Sequence, residues 1–465
     1  MVLLMSHTYN SRRLGFAMRN HKIKILIMLP VALCLVFLSG CLMRISADNL
    51  YRLPQISEDY LRLQAHINTV LSEGAEFSAP TGGPNRQSVQ VKDLNGDGVD
   101  EVLAFFRITG YSALKIYIFE RVDGDYSVAE VITGIGSAIE SIRYVDMDGD
   151  GTKEIVVGWQ LGDALSHMEI YSLNDFNAVL LQSAEYDGIT IVDLNGDGTE
   201  DVLVVRLPSM ESEAVAQIFY MTPEREVLTA QASLSTGIES FQRMMRGFLA
   251  DGAPAVFVEG EGTFENGTFV TDILAFNGGV FSNISRRTAS GVSDANVRYR
   301  RILSADINDD GVLKVPTPRR LLSPLETAYY AMDWFSFDSR GLSSLALTTY
   351  HNPTDEWFLI LPRDWRGQVT VRREDVVSGE RTVIFSHITY AEGPFEDFLR
   401  IFRLTGDARE ERSRLPGRVR LLAEGTSVYA FEILVPPDSF GLTINEEIIA
   451  ENFHLIFSDW LAGTI

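Results

Sequence analysis

Cysteine is nearly absent: the 465-residue chain has two, Cys34 and Cys41, both close to the N-terminus. Cys34 lies inside an apolar run with the shape of a signal peptide and would leave with it. The mature chain then forms no internal disulfide, and thiol catalysis and cysteine metal sites are excluded although export would permit disulfides. Positive charge is scarce too, with 40 Lys and Arg against 63 Asp and Glu, a net charge of −23. Five of the basic residues (Arg12, Arg13, Arg19, Lys22, Lys24) precede Cys41 in a segment without an acidic residue, so beyond it the balance is 35 to 63, or −28. So acidic a chain argues against binding nucleic acid through its phosphates and suggests a demand for divalent cations. G-x-S-x-G, P-loop and dinucleotide fingerprints are all missing, which leaves nucleophilic and nucleotide chemistry without support. The five histidines beyond Cys41 (His66, His167, His351, His387, His454) stand at no metal-ligand spacing such as H-E-x-x-H.

What is present begins with the apolar run 25–38, ILIMLPVALCLVFL, which is short for a membrane span and follows basic residues. It ends in Leu38-Ser39-Gly40-Cys41, where small residues precede a cysteine as in a lipobox. The segment 1–40 is therefore expected to be a lipoprotein signal peptide. Cys41 is the expected lipidated N-terminus, anchoring the chain to the membrane on its extracytoplasmic side. A start at Met18 would give a more usual signal length.

Residues 41–87 read as a linker and a helix: Ser57 can cap a run whose apolar positions Tyr60, Leu63, Ile67 and Val70 share one face, with Gly74 as its stop. From residue 88 the pattern changes to short β-branched and aromatic runs separated by turns. These runs repeat. VKDLNGDGVDEVLAFF from Val91, YVDMDGDGTKEIVVGW from Tyr144 and IVDLNGDGTEDVLVVR from Ile191 are three copies, and SADINDDGVLKV from Ser304 is a fourth. Their first aspartates are separated by 53, 47 and 113 residues. The doubled last interval predicts a further unit near residue 250, where RGFLADGAPAVFVEG keeps the turn and strand but loses most acidic positions. A period of about 50 residues with several strands per repeat predicts a mainly β chain, a β-propeller over 88–350 with about five recognisable blades. Residues 351–465 read as a small α+β domain in which 407–417 is a solvated loop and a helix starts near Thr443 and runs through Ile456.

Each full copy alternates oxygen-bearing residues, as a short loop must if it is to supply the six to eight oxygens that calcium takes. The first offers Asp93, Asn95, Asp97 and Glu101, with the carbonyl of Val99. The second offers Asp146, Asp148, Asp150 and Glu154, with Thr152 at the carbonyl position. The third offers Asp193, Asn195, Asp197 and Asp201, with Thr199. Glycine at position six (Gly98, Gly151, Gly198) permits the sharp turn. Position twelve carries Ala104, Val157 and Val204, not the bidentate glutamate of an EF-hand, and apolar residues follow position nine, so each loop enters a strand. One such loop alone could be an Asx-rich turn; three at a constant spacing point to calcium. The fourth copy has Asp306, Asn308 and Asp310 but Lys314 at position nine.

On these loops and their trailing strands, the segment 88–350 resembles the FG-GAP, or VCBS-repeat, family, which includes the calcium-bound blades of integrin α chains. The arrangement of lipobox, repeats and tail, with TTYHNPTDEWFLILPRDW, SGERTVIF and ENFHLIFSDW, also resembles uncharacterised lipoproteins of Gram-positive bacteria, particularly clostridia. The resemblance implies a propeller holding calcium, in a family whose members bind proteins or glycans or accompany catalytic domains; with no catalytic motif in the chain, the expectation is a non-catalytic propeller that binds an envelope protein or glycan. Two alternatives stand beside it: a polysaccharide-active enzyme of lyase type, and a purely structural envelope component. The segment 349–357, TYHNPTDEW, is where enzymatic residues would be sought, because it joins His351, Asp355 and Glu356 to aromatics.

Overall fold

The computed structural model describes residues 58–456, apart from short stretches at 109–112, 163–164, 175–176, 211, 223, 300–301, 323–326, 376, 391–392 and 438. The expected signal segment and Cys41 lie outside the described residues. Two units are distinguished, Met1–Arg62 and Leu63–Ile465. The described part of the first is the opening of helix α1 (Glu58–Ser72). Among the described residues no helix is long and apolar enough to cross a membrane.

The second unit is mainly β, and its described residues form a succession of six antiparallel sheets met in chain order. The first contains Ala75–Phe77, Val89–Lys92, Glu101–Ile108, Ala113–Val122 and Asp125–Gly134. The second is Ala138–Val145, Glu154–Gln160, Ser166–Asn174 and Asn177–Tyr186. The third is Gly188–Val192, Asp201–Arg206, Val215–Met221 and Val227–Ser233, and the fourth Ile238–Phe248, Pro254–Phe264, Gly267–Asn277 and Val280–Asn283. The fifth is Val315–Arg320, Tyr330–Phe337, Ser343–Asn352 and Trp357–Leu361, joined by Phe453–Leu455. The sixth is Val369–Glu374, Glu380–Ile388, Phe395–Leu404, Arg418–Glu424 and Ser427–Ile433. The unit expected near residue 250 is the fourth sheet, where Asp251-Gly252 turns the chain between its first two strands.

The wholly apolar second strands explain how the sheets stack. Successive side chains in a strand point to opposite faces, so a strand buried on both sides must be apolar throughout. Leu103 and Phe105 pack with Ile155 and Val157 between sheets one and two. Val156 faces the other way, toward Val202 and Val204 of sheet three. Leu203 and Val205 in turn meet Val256 and Val258 of sheet four, and Ala255 and Phe257 meet Val315 and Phe337 of sheet five. The outer face of sheet one, Val102, Ala104 and Phe106, is covered by Leu63, Ile67 and Val70 of α1. Each sheet is thus the cover of the next, a propeller-like stacking.

Three features of the C-terminal part differ from the sequence reading. Strand Ser343–Asn352 runs across position 351, and Trp357–Leu361 pairs with it, so the strands on either side of that boundary share one sheet. One apolar cluster, including Trp357, Trp365, Phe385 and Phe431, spans sheets five and six. The loop expected at 407–417 contains a short helix, α2 (Arg409–Ser413), whose Ser413 is buried. The helix expected from Thr443 to Ile456 is only α3 (Glu446–Glu451), capped by Asn445 Oδ1 accepting from Ile448 N at 2.9 Å. Phe453–Leu455 instead adds to the edge of Trp357–Leu361, where Phe453 packs against Trp357 and Tyr429. Pairing at a free edge and aromatic burial outweigh the local helical pattern.

Candidate metal centres

The three full acidic turns join Val89–Lys92 to Glu101–Ile108, Ala138–Val145 to Glu154–Gln160 and Gly188–Val192 to Asp201–Arg206, and in each the backbone wraps the first aspartate. Asp93 Oδ1 and Oδ2 accept from Gly96 N and Gly98 N at 2.8 and 3.0 Å. Asp146 accepts from Gly149 N and Gly151 N at 2.8 and 3.1 Å, and Asp193 from Gly196 N and Gly198 N at 2.8 and 3.0 Å. Position five accepts from the backbone two residues on: Val99 N to Asp97 at 2.7 Å, Thr152 N to Asp150 at 2.7 Å, Thr199 N to Asp197 at 2.8 Å. Asn95 and Asn195 orient the same carboxylates through their amides. Position six has φ of +83°, +92° and +92° at Gly98, Gly151 and Gly198, a conformation that costs glycine nothing.

Position nine, the first residue of the second strand, points back under the turn. Glu101 accepts from Leu94 N at 2.8 Å, Glu154 from Met147 N at 3.1 Å and Asp201 from Leu194 N at 3.0 Å. All three carboxylates are buried, Glu154 and Asp201 completely. Their second oxygens, Glu154 Oε1 and Asp201 Oδ1, have no hydrogen-bond partner. A buried carboxylate oxygen without a donor is costly and uncommon, and an oxygen-seeking cation is the group that would satisfy it. In the second turn ligand atoms of Asp146, Asp148 and Asp150 lie within 4.8 Å of one another. The residues that could hold a divalent cation are those the spacing picks out: Asp93, Asn95, Asp97, Val99 and Glu101; Asp146, Asp148, Asp150, Thr152 and Glu154; Asp193, Asn195, Asp197, Thr199 and Asp201.

Burial sets the charge of these groups. It raises Glu154 and Asp201 to about 7, against the bonds from Met147 N and Leu194 N, and it raises Glu101 in the same sense, with Asp97 and Asp93 adding to it. In metal-free protein the native state therefore holds protons that the unfolded chain releases above its ordinary carboxylate range. Stability in chelator is expected to fall as pH rises from about 4.5 to 7, by up to a few kcal/mol. Melting scans with chelator at several pH values across that window check this; a rise in stability would contradict it.

The turns touch in sequence. Lys153 N donates to Leu94 O at 2.7 Å, linking the second turn to the first, and Glu200 N to Asp146 O at 3.4 Å, linking the third to the second. Gly96 is needed at the first contact, since a Cβ there would lie 2.9 Å from Gly151 O.

Two cations at these turns are not foreshadowed by the spacing of the acidic residues. Arg225, from the last hairpin of sheet three, reaches Asp148 Oδ2 and Asp150 Oδ2, each at 3.2 Å. Burial alone would raise Asp150; the bonds from Thr152 and the Arg225 charge outweigh it and hold its pKa below the usual range. In the fourth turn Lys314 Nζ sits 2.6 Å from Asp310 Oδ1, 3.5 Å from Asp306 Oδ1 and 2.9 Å from Val312 O, and is 1% exposed. Positions one, five and seven thus converge on an ammonium. Burial would raise Asp310, but the Lys314 bond brings it to about 2. The side chain that breaks the motif supplies the charge that the motif calls for.

The segment 349–357 gathers no comparable centre. His351 stacks on Phe358 at 5.0 Å, its Nε2 lies 2.7 Å from Thr349 Oγ1, and burial lowers it to about 3. Asp355 pairs with Arg381 at 3.0 Å and Glu356 with Arg403 at 3.0 Å.

The family model for the FG-GAP-like repeat matches residues 93–157, the first two turns and the strands between them. No curated protein matches the chain. Among solved structures it is similar to a Bacteroides fragilis protein provisionally assigned as a 6-phosphogluconolactonase, at 14% identity over 70% of this chain and 92% of that one, with a TM-score of 0.25. It is similar to the exotype rhamnogalacturonan lyase YesX at 11% identity over 77% and 63%, TM-score 0.32. For the rhamnogalacturonan lyase YesW the values are 12%, 84%, 70% and 0.30. Likenesses this distant carry no argument about activity.

Proposed function

We propose that this protein is an extracytoplasmic lipoprotein, held at the membrane through Cys41, whose calcium-stabilised propeller displays a binding surface for an envelope protein or glycan without catalysing a reaction. One observation carries the calcium part: completely buried carboxylates under two adjoining turns, each with one oxygen lacking a donor. The lipobox supports the location, and the missing G-x-S-x-G, P-loop and dinucleotide fingerprints support the non-catalytic reading.

Crosslinking in intact cells is expected to recover a discrete partner in calcium and to lose it in chelator. A partner recovered equally in both, or none in either, counts against the reading. Release of unsaturated sugar ends from acidic polysaccharides by the purified chain would overturn its non-catalytic part.

A further inference from the structure

The first strands of the sheets bring several cations together in this acidic chain. Arg143 on Ala138–Val145 and Arg246 on Ile238–Phe248 line one cleft of about 430 Å³ with Lys92 and Lys153, which lie beside the first two turns. Among the described residues neither guanidinium has a carboxylate at ion-pair distance. Arg143 donates to Ser141 Oγ at 2.9 Å and Arg246 to Ile191 O at 2.6 Å. Burial lowers the Arg143 pKa; the Tyr186 and Glu140 charges oppose it, and Arg246 adds to it. Two guanidinium groups lining one cleft, each hydrogen-bonded to a neutral acceptor, favour an anion there.

The lining selects among anions. The cleft has the volume of a small-molecule site, more than a bare phosphate or sulfate needs. Glu200 lines it as well; its carboxylate opposes a multiply charged guest but accepts hydrogen bonds from hydroxyl groups. Thr190 and the Tyr144 ring complete a surface suited to a hydroxylated ring.

We propose that this cleft binds a carboxylated sugar, its carboxylate held by Arg143 and Arg246 and its hydroxyls by the acidic side of the lining. The assignment rests on the ligand-binding reading above and names the chemistry of the ligand. Bidentate guanidinium–carboxylate pairing supplies the orientation, and the flanking lysines draw the anion in, an attraction that salt weakens.

Calorimetric titration of the calcium-loaded full chain at low salt, with a uronic-acid disaccharide, its neutral hexose counterpart and inorganic phosphate, tests this. The uronate is expected to bind with saturation, and the neutral sugar at least about tenfold more weakly. Arg246→Gln, at an exposed position, is expected to weaken uronate binding by about tenfold or more without moving the melting temperature; Lys92→Gln is expected to flatten its salt dependence. Equal binding of acidic and neutral sugars, or an unaltered affinity in Arg246→Gln, overturns the proposal, and phosphate binding as tightly as the uronate overturns its sugar part. A crosslinked partner without uronate affinity sinks this assignment alone, whereas loss of both sinks the ligand-binding reading with it.

Discussion

Calcium added to the chelator-treated chain is expected to raise its melting temperature by on the order of 10 °C. The size follows from mass action. At about 10 mM calcium and dissociation constants of roughly 10⁻⁴ to 10⁻³ M, each site contributes about 1.4 to 2.7 kcal/mol. Three such sites give roughly 4 to 8 kcal/mol if they act independently. Because the turns contact one another, binding at one is expected to favour the next. Glu154→Gln gives the sharper comparison: the amide keeps an acceptor for Met147 N while removing a completely buried carboxylate. The metal-free variant should melt higher than the metal-free parent at pH 7.5, and its gain from calcium should be about a third smaller. Calorimetry with and without chelator reads both. A parent chain that melts within a degree in either buffer would remove the metal from the account of its stability.

Lys314→Glu is expected to turn the fourth loop from a self-neutralised turn into a metal-dependent one. In chelator the variant should lose roughly 2 to 4 kcal/mol, somewhat below the cost of breaking a fully buried ion pair because Asp306 and Asp310 are partly exposed. Calcium should restore much of that loss and the binding stoichiometry should rise from three to four. Lys314→Met separates the two roles: it should be destabilised as well, but calcium should rescue it only weakly, since position nine then offers no oxygen. Isothermal titration of the three proteins decides the matter. If the parent chain binds four ions, the ammonium is not standing where a cation belongs.

The turns and their trailing strands were legible because their determinants are local. An alternation of side-chain oxygens, a glycine at position six and a fully apolar strand lie within about sixteen residues, and each is read off one stretch of chain. The same pattern identified the depleted unit at Asp251-Gly252, because a turn can persist after its ligands are gone. Other features had no local signature. Arg225 approaches the second turn from another sheet, and nothing around residue 225 says what it will reach. Lys314 reads as damage to a motif until its ammonium is located. Phe453–Leu455 follows a local helical pattern that opens on Thr443 and Glu446 at capping-box spacing, whereas the decisive term is the edge of Trp357–Leu361 that it pairs with. The cationic cleft is hidden for the same reason, its basic residues being drawn from three separated stretches of chain, around Lys92, Arg143 with Lys153, and Arg246.

That late strand bears on how the chain reaches its folded state. Phe453–Leu455 is made well after Trp357–Leu361, the strand it pairs with, and the whole of sheet six is made between them. Sheets one to four draw on consecutive segments and can form as the chain emerges, whereas the fifth keeps a sticky edge until its last pairing partner has been made. A polypeptide truncated just before Phe453 would carry that edge exposed and is expected to self-associate, because the row of unpaired backbone groups then finds its partner on another copy.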